Sequence, residues 1–156
     1  MMKEYRLTKE GYKMFLNELD DLVKNKRKEV AERLKEAKEF GGDLAENPEY
    51  EHAKNDQAFI EGRIEQINEI LKNYVIISNK NKKDIVDLGR TVVIRYLDER
   101  KNRKFNIVSS IESDPESNKI SDESPIGMAL INKKISDEIF VNTPQGKRKL
   151  KIIDII

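Results

Sequence analysis

Gly41-Gly42-Asp43-Leu44-Ala45-Glu46-Asn47-Pro48-Glu49-Tyr50 stands between two long runs of helical periodicity and sets how the chain turns back on itself. The paired glycines end the first run, while Asn47 as N-cap and Pro48 as first helical residue begin the second. Upstream, Thr8 is placed to cap the first helix, with Leu7 and Tyr12 forming a hydrophobic staple. Tyr12, Leu16, Leu19, Val23, Val30, Leu34 and Ala37 then recur at mostly three- and four-residue steps, interrupted where Lys26 falls on the stripe. Downstream, Tyr50, Ala53, Gln57, Ile60, Ile64, Ile67, Leu71 and Tyr74 alternate strictly by three and four over about three heptads. Two such helices joined by a short turn are expected to pack as an antiparallel coiled-coil hairpin, about 50 Å long if its first arm runs over 8–40. Ile60, Ile64, Ile67 and Leu71 are expected to face Leu16, Leu19, Val23 and Val30. Gly62 lies inside the second helix, where glycine costs about 1 kcal/mol relative to alanine, so a close approach of the first helix is expected there.

After Tyr74 the texture changes. Val75-Ile76-Ile77 is a short β-like run, and residues 79–83 read as a polar linker. Thr91 to Leu97 and Lys104 to Val108 have strand character around a charged turn. Ser124-Pro125 looks like the cap and first turn of a short helix through Met128, Leu130 and Ile131. Ile139-Phe140-Val141 and the run from Leu150 to Ile156 form a closing hairpin through Thr143-Pro144-Gln145-Gly146. The expected architecture is thus α+β with two domains: a helical hairpin over 1–76 and an antiparallel-sheet domain over 77–156.

Composition narrows the function classes. Charged residues make up 38% and hydrophobic ones 37%, which favours an elongated part plus a small globular part over one large core. Net charge is +1, so a nucleic-acid or membrane role requires local clustering rather than bulk attraction. Cysteine is absent, which excludes disulfides and thiolate metal sites and fits a reducing cytoplasm. No run approaches the roughly 20 apolar residues of a membrane span, and no signal-peptide core opens the chain. A cytoplasmic protein is expected.

Asp43 and Glu46 lie three residues apart in the turn, so their carboxylates can converge on one hard cation, for which all-oxygen ligands suit magnesium. Two ligands are too few for a tight site, so another macromolecule would have to supply the rest. The alternative is that both acids simply favour the positive end of the second helix. Lys24, Lys26, Arg27 and Lys28, then Arg33, Lys35 and Lys38, form a basic strip interleaved with Glu29, Glu32, Glu36 and Glu39. It is either a solvated face with local ion pairs or a contact for nucleic-acid phosphate. His52, the only histidine, reads as a helix-surface residue.

The run from Gly42 to Tyr50, followed by Ala53-Lys54, Gln57 and Phe59-Ile60-Glu61-Gly62-Arg63-Ile64, resembles the signature of bacterial GreA/GreB transcript cleavage factors. Ser124-Pro125-Ile126, Ala129-Leu130-Ile131 and Asp137-Glu138 extend the resemblance to the C-terminal half. The resemblance implies a coiled-coil hairpin with an FKBP-like domain, bound beside the secondary channel of bacterial RNA polymerase. It implies that the hairpin tip enters the channel of a backtracked complex and stimulates the polymerase's own cleavage of the nascent RNA 3′ end, so the factor is not itself the enzyme. Asp43 and Glu46 would be the catalytic pair, sharing magnesium with the polymerase, with no cofactor in the isolated protein. Lys35 and Lys38 would touch RNA, Glu123-Ser124-Pro125 would dock on the polymerase rim, and DNA contact in the elongation complex is possible. A monomer is implied, and the modest basic strip points to the GreA-like branch. The sequence departs from the family pattern at the doubled Gly41-Gly42, at Pro48, and at Asn132 and Ser136, where glycine is common. The competing function is a secondary-channel regulator without cleavage activity. A prolyl isomerase is a weaker alternative, since Tyr96, Phe105 and Phe140 are the only aromatics after the hairpin. A plain coiled-coil module would leave the acidic tip unexplained.

Overall fold

The computed structural model describes residues 3–78 and 84–156, so the polar run at 79–83 lies outside the described residues. Two compact units divide the chain: Tyr12–Tyr74 forms the body of one, and Tyr5–Gly11 joins Val75–Ile156 in the other. The architecture is two-domain α+β.

In the first unit one continuous arm is made of α1 (Lys9–Asp21), a π-helical segment (Leu22–Lys26) and α2 (Arg27–Glu39). The return arm α3 (Pro48–Lys72) has 25 residues, which sets a paired length of about 37 Å, shorter than the first arm alone suggests. From α3 the buried residues are Ala53, Ile60, Ile64, Ile67 and Ile70. Ile70 is 1% exposed where Leu71 was expected to lead, and Leu71 is half-buried.

On the first arm the seam is Phe15, Leu22, Val30, Leu34 and Ala37, while Leu16 and Val23 are exposed and Leu19 half-buried. The expected facing set therefore holds from Val30 onward and slips by one residue before it. The π-helical segment is the reason. Its i→i+5 turn takes up one extra residue, so Leu22 and Val30, eight positions apart, present the same face as a heptad pair. Lys26 accordingly escapes the seam and stays exposed.

Three ion pairs cross between the arms: Glu18 with Arg63, Arg27 with Glu61, and Arg33 with Asp56. Their partner numbers fall as the first arm rises, as an antiparallel pairing demands. Being largely exposed and screened by solvent, these pairs chiefly select register. Tyr12 and Tyr74 stack at 4.9 Å between ring centroids. Gly62 differs from expectation: a methyl group there would meet open space, so no close helix approach explains it.

In the second unit β1 (Tyr5–Leu7) and β2 (Tyr74–Ile76) form a two-stranded sheet, and the Ile77 amide donates to the Leu7 carbonyl at 2.8 Å. The main sheet comprises β3 (Thr91–Tyr96), β4 (Arg103–Val108), β5 (Lys119–Ser121), β6 (Glu138–Thr143) and β7 (Gly146–Ile155), in the order β5-β4-β3-β7-β6. Every neighbouring pair is antiparallel except β4–β5, which is parallel. Helix α4 (Pro125–Leu130) follows β5. Val86, Val92, Ile94, Tyr96, Ile107, Leu130, Leu150 and Ile152 belong to one buried cluster on one face of this sheet.

Two three-residue strands, β1 and β5, have no signal in the sequence, because neither carries a continuous apolar run such as Val75-Ile76-Ile77. Asn132 and Ser136 have φ of 66° and 75°, so the turns keep the left-handed geometry that glycine would supply.

Thr8 caps α1 as expected, its Oγ1 accepting from the Gly11 amide at 2.9 Å. A capping box would place Glu at position 11 to receive the Thr8 N–H. Here Gly11 holds that position and the carboxylate comes from Glu112, which accepts from the Thr8 amide at 2.8 Å and from the Thr8 hydroxyl at 2.7 Å. A Cβ on Gly11 would collide with the Glu112 carboxylate, so glycine is required for this distant substitute to fit.

Candidate functional site

At the tip, α2 ends at Glu39, and Phe40 keeps helical dihedrals before Gly41 and Gly42 turn the chain with φ of 72° and 86°. Two consecutive left-handed residues reverse the backbone at little steric cost only when both lack a Cβ. Asp43 then returns to extended geometry and caps a 3₁₀ turn, Leu44–Glu46, its Oδ1 accepting from the Ala45 amide at 3.0 Å. Asn47 ends that turn and opens α3, its Oδ1 accepting from the Glu49 amide at 3.1 Å and the Tyr50 amide at 3.4 Å. Its Nδ2 donates to the Ala37 carbonyl at 3.3 Å, which ties the start of α3 to the last turn of α2. Asn47 thus fixes the tip from both sides, a role that its N-cap position in the sequence shows only in part.

Asp43 and Glu46 are exposed. Beyond the Asp43–Ala45 contact, neither carboxylate has a hydrogen bond or ion pair among the described residues. Their oxygens are hard donors available to an incoming ligand, which fits a magnesium-type cation in kind. In number they fall short: no group of three or more His, Asp or Glu among the described residues is arranged to hold a metal ion. The pair can therefore serve as part of a coordination sphere completed by another molecule. Phe40, 90% exposed beside these acids, went unremarked in the sequence. It borders a shallow cavity of 360 Å³ together with Arg33, Glu36, Asn47 and Glu49.

The basic strip divides into two classes. Lys24 pairs with Asp20 at 2.8 Å and Lys26 with Glu29 at 3.7 Å, as local helix pairs. Arg27 and Arg33 instead reach across to α3, which corrects the expectation that such pairs stay on one helix. Arg27 holds the Glu61 carboxyl below the ordinary carboxylate range by hydrogen bonding to it. Lys28, Lys35 and Lys38 are exposed and have no hydrogen bond or ion pair to a side chain among the described residues.

In the second unit, Ser124 caps α4, accepting from the Gly127 amide at 3.1 Å while donating to the Ser121 carbonyl at 2.6 Å. That hydroxyl is occupied internally. Glu123 and Pro125 beside it are exposed. Ser124 and Pro125 border a 670 Å³ groove whose floor includes Tyr96 and Ile120. Tyr96 is the only aromatic among the described lining residues. Its ring is covered by the Arg148 guanidinium at 3.8 Å and flanked by Arg103 at 5.4 Å. An aromatic floor already stacked by arginine offers little to a proline ring, so the isomerase alternative gains nothing from the fold. Arg148 also hydrogen-bonds Asp98 and Glu99, and holds both carboxyls below their usual range.

Residues 5–76 match the family described as "Transcription elongation factor, N-terminal", and residues 80–156 match "Transcription elongation factor, GreA/GreB, C-term". The chain is 49% identical over 154 residues to the transcription elongation factor GreA of Clostridium acetobutylicum, covering 98% of this chain and 97% of the relative. It is also 49% identical over 156 residues to the transcription elongation factor GreA of Thermoanaerobacter pseudethanolicus, with 99% of each covered. Among solved structures, the GreA factor homolog 1 (Gfh1) protein of Thermus thermophilus aligns over 99% of each chain, with 29% identity and a TM-score of 0.45. Among the described residues, no helix is long and apolar enough to cross a membrane.

Proposed function

Because the chain belongs to the GreA/GreB family of transcription elongation factors, we propose that it acts on bacterial RNA polymerase in the cytoplasm and stimulates cleavage of backtracked nascent RNA. The observation that supports this most is the pair Asp43 and Glu46, exposed and almost without protein partners on a turn that Asn47 locks to both arms. Carboxylates retained there for stability would be expected to cap a helix or pair with a cation, and Glu46 does neither among the described residues.

In this proposal the hairpin enters the secondary channel and presents the tip to the displaced RNA. The Ala45 amide orients Asp43 by holding Oδ1, which leaves Oδ2 to face the catalytic centre. Glu46, at the end of the same 3₁₀ turn and exposed, would orient the attacking water. Magnesium shared with the polymerase, held by Asp43 and Glu46 together with ligands from the enzyme and the RNA, would activate that water and neutralise charge on the leaving oxygen. Lys35 and Lys38, with no side-chain partner among the described residues, neutralise RNA phosphates as the strand approaches. Glu123 and Pro125 form the exposed part of a polymerase-docking segment, in which Ser124 shapes the backbone by capping α4.

The test is incubation of the protein with a stalled, backtracked elongation complex and magnesium, reading RNA length on a gel. Shortened RNA that can be extended again supports the proposal. Polymerase binding without shortening would identify a channel regulator that lacks cleavage activity.

A further inference from the structure

The outer face of the β6–β7 hairpin combines charge and aromaticity in a way that the elongation-factor reading does not use. Strand register fixes which side chains share this face. Glu138, Phe140 and Asn142 on β6 pair with Lys151, Lys149 and Lys147 on β7, and Lys151 in turn pairs with Arg95 on β3. Lys104 lies opposite Val93 on the same side. The alternate residues Val92, Ile94, Val141, Leu150 and Ile152 point into the buried cluster. Arg95, Lys104, Lys147, Lys149 and Lys151 outnumber the anions of this face, Glu138 and Asp154. The Lys149–Glu138 pair at 3.1 Å satisfies one of them.

Phe140 is the second observation. Its ring is 57% exposed on an edge strand, with the Lys147 ammonium 4.8 Å and the Lys149 ammonium 5.4 Å from its centroid. Lysine on an edge strand is a common guard against aggregation, but here the lysines lie on the inner strand and the edge strand exposes a phenylalanine. That is the reverse of a guard. An aromatic platform flanked by ammonium groups is what unpaired bases and their phosphates recognise. Lys147, Lys149 and Lys151 recur every second residue, about 6.8 Å apart along the strand, a step that successive phosphates of an extended single strand can follow.

We infer that this face is a binding site for single-stranded nucleic acid, with Phe140 stacking on one base and Lys147, Lys149 and Lys151 tracking the phosphates. A duplex keeps its base faces stacked within itself and cannot use Phe140. The site is independent of the tip and stands or falls separately from the cleavage proposal.

The test uses the whole chain and fluorescence anisotropy with labelled oligouridylate, oligodeoxythymidylate and duplex DNA of equal length, from about 50 to 200 mM salt. The site requires tighter binding of the single strands than of the duplex, with RNA and DNA arms showing which sugar is preferred. Phe140→Leu should weaken single-strand binding about fivefold or more, the low end for one stacked base, while Phe140→Tyr retains it and duplex binding is unchanged. Lys147→Gln with Lys151→Gln should lower the salt slope by about 1.4, at about 0.7 per phosphate. Equal binding to duplex or anionic vesicles with no effect of Phe140→Leu would overturn the inference, as would no single-strand binding at the lowest salt. So would variants that bind polymerase less well but oligonucleotide unchanged, which would make this a protein contact. All these side chains lie on an outer face, and unchanged thermal unfolding confirms that each variant is folded.

Discussion

Glu46 and Glu112 each end a three-residue 3₁₀ turn, yet the fold treats them in opposite ways. Glu112 is 9% exposed and both its oxygens are engaged by Thr8, where it completes the cap of α1 that Gly11 leaves open. Glu46 is exposed, and its carboxylate has no hydrogen bond or ion pair among the described residues. Residue type and local geometry are alike, so neither distinguishes a structural carboxylate from one available for chemistry. The distinction lies in whether the rest of the chain has already used the lone pairs.

A carboxylate that has neither water nor a partner is the extreme case, and it should give the largest effect. Ile64 is 6% exposed in the hairpin seam. Ile64→Asp should cost several kcal/mol, because an unpaired charge would be buried there, and loss of helical circular dichroism at moderate urea would show it. A variant as stable as the parent would mean that the seam is wetter than its burial indicates.

Glu112→Gln is the next step down. The amide nitrogen would point a donor at one of the two Thr8 donors, so a loss of about 1–3 kcal/mol is expected, read as a lower urea midpoint at constant slope. Gly11→Ala should displace the same carboxylate, and the two changes should be strongly non-additive because they disrupt one contact. Additive losses would separate Gly11 from the cap. Glu46→Gln, by contrast, should leave the midpoint unchanged.

The smallest measurable stability effect belongs to Glu61, which is neither bare nor buried. Arg27 holds its carboxyl below the ordinary range, so the pairing contributes above the unfolded-state pKa and is lost as pH falls through the folded one. Glu61→Gln should therefore lower neutral-pH stability slightly and flatten the acid limb of the stability profile by the same small amount. An unaltered acid limb would show that the pair is fully screened by solvent.

The same contrast explains what the sequence could disclose. Ile60, Ile64 and Ile67 lie on the seam because α3 is an uninterrupted helix in which apolar period and geometry agree. The first arm defeated the same reasoning before Val30, since a π turn changes the face without changing the residue pattern; the exposed Lys26 on the expected stripe was its trace. Asp43, Glu46 and the Asn47-Pro48 start could be placed because their spacing is local. Glu112 could not, because its partner Thr8 is 104 positions away and nothing local marks it. The one available hint was negative: Thr8 is followed at the capping-box position by Gly11 instead of an acid. Nothing in the sequence marks Phe40 or Phe140 as a surface residue, and only their exposure of 90% and 57% sets them apart.

The central claim is that the exposed tip carboxylates act on the RNA cleavage centre, and a magnesium titration of stimulated cleavage tests it most directly. Single-turnover cleavage of a backtracked complex should be measured with the parent, Asp43→Asn and Glu46→Gln, alongside their affinity for polymerase. Each variant should cleave at least tenfold more slowly at limiting magnesium, equivalent to about 1.4 kcal/mol of transition-state stabilisation, and should require more magnesium to recover. Polymerase affinity should be unchanged, since both amides keep the shape of the tip. Full cleavage by Asp43→Asn at limiting magnesium, with polymerase bound as tightly as by the parent, would contradict the claim.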